Sequence, residues 1–333
     1  QVRDQIKSGK FQGPRLIASG CGITVPEGHA RLFAKKATTP EEGRALVHEH
    51  FSNGADQIKL FITGGVFDAE VEGEPGVLRM PLDIAQAVCD EAHKLGLRTS
   101  AHIESTEGVD VGLKAGVDTI EHGAPLTDEL LKLFKKNGLG NASSLTCTLS
   151  PALPFAVLSP EKTHSTHVQK VNGRVVYEGV ATATRQALAN GIPVGLGTDS
   201  ACPFVTHYDM WREVVYFQRH TGVTPEFALH TATLKNAQLL GVANETGSIE
   251  TGKSADLIVL DANPLDDLCA LRNVEQVYMA GKPVKYKAKH LPKIDAELDG
   301  IMNGLDNDPF VSEWNIAEEK KSLNPFAKRG TKE

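Results

Sequence analysis

Apolar and polar positions follow a repeated order along the chain, in which a short apolar run precedes an amphipathic stretch of helical period. The apolar runs predict strands at residues 15–20, 56–63, 97–103, 117–123, 143–150 and 192–200. The stretches between them predict helices at residues 39–54, 81–96, 105–116, 127–138 and 173–191. Strands that alternate with helices of about 10–15 residues form βαβ units and a parallel sheet. Six such strands in succession favour an α/β fold of the (β/α)8 TIM-barrel type over an open sheet.

This alternation changes after residue 200. Residues 224–241 predict a helix with Thr224 as its N-cap and Pro225 in its first turn. Residues 247–261 and 274–285 alternate around glycines in a way typical of antiparallel strands. About the last 40 residues are charged and poor in large apolar groups, and KKSLNPFAKRGTKE at residues 320–333 predicts a loose tail. We therefore predict a barrel domain at residues 1–245, β-sandwich strands at 246–290 and a C-terminal extension at 291–333.

Composition narrows the class of protein. The chain has 333 residues, of which 41% are hydrophobic and 23% charged, as in ordinary globular enzymes. A net charge of −7 argues against a nucleic-acid partner. The five scattered cysteines form no CxxC pair, so they indicate neither a disulfide framework nor a cysteine zinc site. No apolar run reaches the roughly 20 residues that span a bilayer. We expect a cytoplasmic protein with a small-molecule or dipeptide substrate and no membrane partner, and leave a homo-oligomer open.

Four polar residues stand on or after predicted strands that are otherwise apolar: Lys59, His102, His122 and Asp199. The catalytic residues of a barrel lie at the C-terminal ends of its strands, where the βα loops form a mouth. Two imidazoles and a carboxylate that converge there are suitable ligands for Zn²⁺. The four positions therefore predict a metal site.

A lysine has no place in a metal site as an ammonium ion, because it has no lone pair to donate. Carboxylation of Lys59 by CO₂ would give an anion whose two oxygens can bridge two metal ions. A hydroxide held between the metals would then be the nucleophile. Asp199 would bind one metal, take the proton of the attacking water and pass it to the leaving amine.

Each residue also has a structural alternative. A histidine at a strand end is more often a hydrogen-bonded structural group, and His122 could belong to a turn. Asp199 could cap the next helix, and the Lys59 side chain could reach out to solvent. Taken one at a time, these alternatives are favoured. Taken together at the same end of successive strands, the four residues favour the metal site.

Other histidines are weaker candidates. His48 and His50 form an HxH pair, but they lie in a predicted helix, where residues i and i+2 point in different directions. His29 follows the strand predicted at residues 15–20 and is a candidate substrate-binding residue at the mouth. His207 and Arg212 come soon after Asp199 in the chain and are further candidates for substrate binding.

Several runs of sequence are recognisable. GADQIKLFITGGV, SAHIESTEGVDVGLKAGVDTIEHG, GIPVGLGTDS and ATLKNAQLLGVANETGSIETGKSADLIVLDANPL resemble the amidohydrolase superfamily, and within it the imidazolonepropionase-related branch that includes Xaa-Pro dipeptidase (prolidase)-like enzymes. The resemblance covers residues from about 9 to about 285. It implies one or two zinc ions, with carboxylated Lys59 as the bridging ligand on the fourth barrel strand. It also implies that His102 and His122 are ligands on the fifth and sixth strands, and that Asp199 is the ligand and proton shuttle on the eighth.

In one respect this chain departs from the pattern of the family that it resembles. The family's HxH pair ends the first barrel strand, well before the lysine, whereas this chain begins at what resembles the helix before the third strand. We therefore expect an N-terminally truncated barrel without its first two strands, with remnants of a small β-sandwich. The predicted function is a metal-dependent hydrolase of C–N bonds in small substrates, with Xaa-Pro dipeptides first. The alternatives are a cyclic-amide (imidazolonepropionase-like) hydrolase and a noncatalytic barrel protein without metal.

Overall fold

A computed structural model describes residues 1–134, 143–285 and 288–316. The strands of this part are β1 (Ile23–Thr24), β2 (Lys35–Lys36), β3 (Gln57–Phe61), β4 (Arg98–Ile103), β5 (Thr119–His122), β6 (Ser144–Cys147), β7 (Val194–Leu196), β8 (Leu257–Leu260), β9 (Val274–Met279) and β10 (Lys282–Pro283). The α-helices are α1 (Val2–Lys7), α2 (Pro40–Ser52), α3 (Leu82–Lys94), α4 (Thr106–Ala115), α5 (Asp128–Phe134), α6 (Leu153–Val157), α7 (Pro160–Thr163), α8 (His167–Ala189), α9 (Met210–Thr221), α10 (Pro225–His230), α11 (Asn236–Leu239), α12 (Pro292–Gly304) and α13 (Pro309–Ile316).

The chain divides into two compact units. The first unit contains residues 1–147 and 164–193, and the second contains residues 148–163 together with the chain from residue 194 onward. The predicted domain boundaries at residues 245 and 290 follow a different criterion and stay a prediction.

The first unit contains parallel strands in the order β2-β1-β3-β4-β5-β6. Phe61 of β3 lies opposite His102 of β4, and His102 lies opposite Glu121 of β5. Helices α2, α3, α4 and α5 connect or follow these strands, and β7 follows α8 at the start of the second unit. The alternation of parallel strands and helices confirms the predicted (β/α) barrel-type class.

The strand predicted at residues 15–20 is wrong in position, because the two short strands β1 and β2 lie further along the chain. The backbone oxygen of Ala18 does accept from the backbone N–H of Asp56, at 2.8 Å. The backbone N–H of Ala18, however, donates to the Asp56 side-chain carboxylate at 2.9 Å. The Asp56 side chain thus accepts the hydrogen bond that a backbone oxygen of the neighbouring strand would accept in a regular sheet. Regular strand pairing begins only at Ile23, which lies opposite Leu60.

The helix boundaries in the first unit follow the local sequence signals. Thr39 caps α2 by accepting a hydrogen bond from the backbone N–H of Glu42 at 3.2 Å, and Ser105 caps α4 in the same way. Gly112 lets α4 approach β4 closely, since a Cβ atom there would lie 2.6 Å from Cδ1 of Ile103. Ile103 therefore faces the helix layer. By the alternation of a strand, His102 faces the opposite side of the sheet.

The second unit contains the antiparallel sheet β10-β9-β8, which confirms the predicted antiparallel strands. Thr224 caps α10 as predicted, and the helix continues through a π-helical turn into α11. The sequence prediction omitted α9. Its buried Glu213 accepts hydrogen bonds from the backbone N–H groups of Leu149 and Ser150, at 2.8 Å each, and so attaches residues 148–163 to this unit.

The C-terminal extension predicted at residues 291–333 begins with two helices, α12 and α13, which the sequence analysis did not predict. The buried residues of α12 are Leu298, Ile301 and Met302, spaced three and four apart on one face among charged positions. Residues 317–333, which include the loose tail predicted at 320–333, lie outside the described residues. In the part of the chain that the structure describes, no helix has both the length and the apolar character needed to cross a bilayer.

Candidate metal centre

Two histidines and a glutamate lie together at the C-terminal ends of β4 and β5. Ligand atoms of His102, Glu104 and His122 all lie within 4.8 Å of one another. The rings of His102 and His122 meet edge to face, with their centroids 4.8 Å apart. Each of the two histidines is only 5% exposed. The first unit thus brings together two of the histidines that the sequence singled out.

The hydrogen bond of His102 determines which ring nitrogen can bind a metal. Nε2 of His102 lies 3.0 Å from the backbone oxygen of Gly64. A carbonyl oxygen can only accept, so Nε2 carries the proton and Nδ1 holds the lone pair of the neutral ring. Burial is the main cause that holds the pKa of His102 well below its ordinary value, and the nearby His122 and His29 lower it further. His102 is therefore a neutral imidazole with one nitrogen suited to coordination.

His122 reaches this cluster through an unusual backbone conformation. Ile120, two residues earlier, faces the helix layer, where its Cδ1 would lie 3.1 Å from a Cβ atom at Gly112. Strand alternation would place His122 on that same side. Instead, His122 has a φ of 69°, in the left-handed region, and its ring meets that of His102. For a non-glycine residue this conformation costs about 1–3 kcal/mol, and such residues concentrate at functional sites.

Lys59 lies on the same side of the sheet as the histidine cluster. It is in the middle of β3, two residues before Phe61, and its Nζ is 5.4 Å from the centroid of the Phe61 ring. The Phe61 ring is in turn 6.0 Å from that of His102. After burial and the neighbouring imidazoles, the charge of Lys59 is a further cause of the lowered pKa of His102. The lysine is thus close enough to act electrostatically on this ligand candidate.

His29 stacks on the cluster from the loop between β1 and β2. Its ring is nearly parallel to that of His102, at 4° and 4.2 Å between centroids. Nδ1 of His29 is hydrogen-bonded to the carboxylate of Asp68, which also accepts from the backbone N–H of Gly65 at 3.1 Å. Burial raises the pKa of Asp68. The hydrogen bond with His29 and the charge of the His29 ring lower it by more, so the pKa of Asp68 lies below its ordinary value. Asp68 therefore orients His29, and sequence reasoning did not identify it.

Glu104 is the second residue that sequence reasoning missed, although a signal was present. His102 and Glu104 stand in an H-x-E pattern at the end of a strand, where residues i and i+2 share a face. One carboxylate oxygen of Glu104, Oε2, accepts from the backbone N–H of Val66 at 3.2 Å. The face that carries His102 therefore also carries a carboxylate.

The remaining predicted site residues belong to the second unit. Asp199 follows β7 with a left-handed φ of 54°, and its exposed carboxylate accepts from the thiol of Cys202 at 3.1 Å. His207 is exposed in the following loop. The Arg212 side chain is only 2% exposed and forms an ion pair with Asp299 at 2.8 Å, so its guanidinium is engaged within the unit. The roles predicted for these three residues stay predictions.

The HxH pair of His48 and His50 lies on α2, as the sequence predicted. His48 is exposed and its Nε2 is 2.8 Å from the carboxylate of Glu91, whereas His50 is buried. Among the described residues, the histidine and acidic side chains that group as a potential metal site are those of His102, Glu104 and His122 alone.

The similarity of this chain to known proteins is extensive. The model of the amidohydrolase family matches residues 1–284. A solved structure of a candidate prolidase from Bifidobacterium longum is 44% identical with a TM-score of 0.84, over 90% of this chain and 73% of that one. A solved Xaa-Pro dipeptidase, with methionine bound in its active site, is 31% identical with a TM-score of 0.74, over 86% of this chain and 71% of that one.

Curated relatives agree with these structures. Ochratoxinase from Aspergillus niger is 25% identical over 314 residues, which cover 86% of this chain and 63% of that protein. Imidazolonepropionase from Streptococcus sanguinis is 27% identical over 242 residues, which cover 70% of this chain and 48% of that protein. The chain therefore spans less than two thirds of the length of these relatives. The predicted resemblance to imidazolonepropionase-related and prolidase-like proteins is confirmed.

Proposed function

The chain belongs to the amidohydrolase family, and from this premise we propose that it serves in a metal-dependent hydrolase that cleaves C–N bonds of small amides. One observation carries the proposal: His102, a buried neutral imidazole whose Nδ1 holds the lone pair, groups with His122 and Glu104, with ligand atoms of the three side chains within 4.8 Å of one another. A buried imidazole that stays neutral is a suitable metal ligand, because a metal ion binds the nitrogen that carries no proton.

The donor types fit zinc. Imidazole nitrogen and carboxylate oxygen are both common zinc ligands, and catalytic zinc sites in proteins combine them. We propose that His102 and His122 bind the metal, and that Asp199 and a carboxylated Lys59 complete the ligand set. Carboxylation converts the amine of Lys59 and one CO₂ into a carbamate anion with release of a proton. It would replace the positive charge that now acts on His102 by a negative charge next to the metal.

The bound metal supplies Lewis-acid polarisation and lowers the pKa of a water molecule. The residues of the chain then position the substrate and move the proton. His29, held at Nδ1 by Asp68, presents its other ring nitrogen for a hydrogen bond with the substrate. Asp199 accepts the proton of the attacking water and gives it to the leaving amine, as general base and then general acid.

Dipeptides that end in proline are the first substrate class to test. This proposal is supported by the 31% identity to a protein named as a Xaa-Pro dipeptidase. Imidazolone-type cyclic amides are the second class, on the strength of the imidazolonepropionase relative. A parallel panel of Xaa-Pro dipeptides, Xaa-Ala dipeptides and cyclic amides, assayed for product release with the full chain, separates the two classes.

Metal content tests the proposal most directly. We expect elemental analysis of the purified full chain to give at least one zinc per chain, and His102→Asn to remove it. His48→Asn is the matched control, because His48 pairs with Glu91 on α2 outside the cluster, and it should keep the metal. Asp199→Asn should abolish hydrolysis while the protein stays folded. A folded wild-type chain without metal and without hydrolysis would favour a noncatalytic barrel instead.

A further inference from the structure

We propose that Asn172 of α8 is a positioning residue of the candidate site, because it fixes the loop that carries Asp68 and, through Asp68, the ring of His29. This loop connects β3 to α3 and comprises residues 62–81; it is called the β3–α3 loop below. The inference rests on the substrate contact proposed above for His29. It adds a residue of the first unit that lies 99 positions after the loop residue it binds.

The base of the β3–α3 loop is paired with itself. An antiparallel bridge joins Thr63 to Leu78, and the backbone N–H of Gly64 donates to the backbone oxygen of Val77 at 2.8 Å. This pairing leaves residues 65–76 as the tip of the loop. The position of the tip therefore depends on the side chains that bind it.

The first part of the tip contacts the cluster of histidines and carboxylates. The backbone N–H of Gly65 donates to the Asp68 carboxylate at 3.1 Å, and that of Val66 donates to Glu104 at 3.2 Å. Asp68 is in turn hydrogen-bonded to Nδ1 of His29. Movement of this part of the tip would therefore move the imidazole that is proposed to meet the substrate.

The second part of the tip is bound by Asn172. Its Oδ1 accepts from the backbone N–H of Gly73 at 2.8 Å, and its Nδ2 donates to the backbone oxygen of Val71 at 2.9 Å. Asn172 is completely buried, so both bonds are shielded from water and are costly to lose. Val71 follows Asp68 by three residues, a span of at most about 11 Å, so a displacement at Val71 is transmitted to Asp68.

The residue type at position 172 matches this role. An amide side chain offers an acceptor and a donor side by side, as an N–H and a carbonyl group of the same loop require. Asparagine is a poor helix former, yet Asn172 lies within the second turn of α8. Its contact with the β3–α3 loop, rather than helix propensity, accounts for an asparagine at this place.

The test compares Asn172→Ala with the wild-type full chain in two measurements. We expect amide hydrogen–deuterium exchange in the tip to accelerate by about 10-fold or more, at residues 65–68 as well as at 71–73, because two buried hydrogen bonds are lost. With the dipeptide Ala-Pro as substrate, we expect KM to rise by about 5–10-fold while kcat changes by less than about 2-fold. The substrate contact of His29 is loosened, whereas the groups that move the proton are unchanged.

Gln186→Ala is the matched control. Gln186 lies on the same helix and forms the same pair of bonds, from the backbone N–H of Leu126 at 2.7 Å and to its backbone oxygen at 3.0 Å. Its removal weakens the attachment of α8 in a similar way without a change at the β3–α3 loop. We expect wild-type exchange at residues 65–76 and a wild-type KM. An equal rise of KM in both variants would show a general loosening of α8 and would overturn the inference.

Asn172→Asp covers the case in which Asn172→Ala does not fold. It keeps the shape of the side chain and the acceptor for Gly73, but it removes the donor to Val71, so exchange at residues 65–68 and KM should again rise. Wild-type exchange at residues 65–68, or a wild-type KM, in a folded Asn172 variant would overturn the inference. If the wild type hydrolyses neither dipeptides nor cyclic amides, the proposed function fails, and exchange at residues 65–68 still decides whether Asn172 positions the tip.

Discussion

Replacing Gly65 by alanine tests whether the exact positions of the His29, His102 and Glu104 side chains affect metal binding. Gly65 does not have a left-handed φ, so its backbone can accept an alanine. The added methyl group would nevertheless lie 3.0–3.2 Å from one atom of each of these three side chains. Ordinary contacts between carbon atoms are about 3.5–4.0 Å. Each neighbour must therefore retreat by roughly 0.3–0.5 Å, which is close to the tolerance of about 0.5 Å for a functional site.

The same substitution has little effect on folding. Alanine in place of glycine restricts the unfolded chain and stabilises the fold by about 0.4–1 kcal/mol where the backbone permits it. The displaced side chains offset part of this gain. We expect the free energy of unfolding to change by less than about 1 kcal/mol, while the zinc affinity falls by about 10-fold or more, the effect typical of residues that support metal ligands.

Gly179→Ala is the matched control for this experiment. It makes the same change in α8 of the first unit, where the nearest atom outside the helix's own backbone, Cδ of Pro125, would be 3.6 Å away in ordinary contact. Alanine favours a helix over glycine by up to about 1 kcal/mol, so the melting temperature should rise and the zinc affinity should stay unchanged. Both variants are compared with the wild type by thermal unfolding and chelator competition. Wild-type zinc affinity in a folded Gly65→Ala variant would refute the reasoning.

Three further predictions concern stability. Asp118 is 1% exposed and accepts from the backbone N–H and the hydroxyl of Thr99, at 2.8 and 3.0 Å, so Asp118→Ala should lower the free energy of unfolding in urea by about 3 kcal/mol. Asparagine tolerates the left-handed region better than valine, so metal-free His122→Asn should be more stable than His122→Val by about 1–2 kcal/mol in the same assay. Burial raises the pKa of Asp299, but the bond from Arg212 helps hold it below its ordinary value, so this carboxylate stabilises the fold above about pH 4 and that contribution is lost as pH falls further. Acid titration of unfolding should therefore be less steep below pH 4 in Asp299→Asn, and an unchanged slope would contradict the ion pair's contribution.

The order of strands and helices was predictable because its causes are local. Thr39 and Ser105 cap their helices with their own side chains, and glycines with left-handed φ, such as Gly54 and Gly116, follow the helix ends. Hydrophobic period and capping act over a few residues, so one sequence is enough to recognise them. The alternation of six strands with helices already favoured a barrel, and the resemblance to a known family agreed with it.

The wrong and missing secondary-structure predictions depend on contacts between residues that are far apart in the sequence. The strand predicted at residues 15–20 is displaced because the side chain of Asp56, 38 residues after Ala18, takes the place of a backbone partner. The apolar face of α12 that carries Leu298 is hard to recognise in a sequence rich in charged residues. Its burial depends on the fold of the second unit. The helix propensity of residues 291–333 could not show which of their apolar side chains would be buried against the rest of the unit.

The C-terminal ends of β4 and β5 show which side chains of the site are correctly placed by the alternation of residues along a strand. Alternation alone places Glu104 on the face of His102, so the H-x-E pattern was sufficient to find it. The same rule places His122 on the wrong face, because it shares the parity of Ile120, which contacts the helix layer. Only the left-handed φ of His122 turns its ring toward His102. A residue that leaves its regular conformation at a local cost is held there by the rest of the fold. The site therefore combines His102, whose direction follows the strand pattern, with His122, which the sequence named as a candidate but whose turn toward His102 only the structure shows.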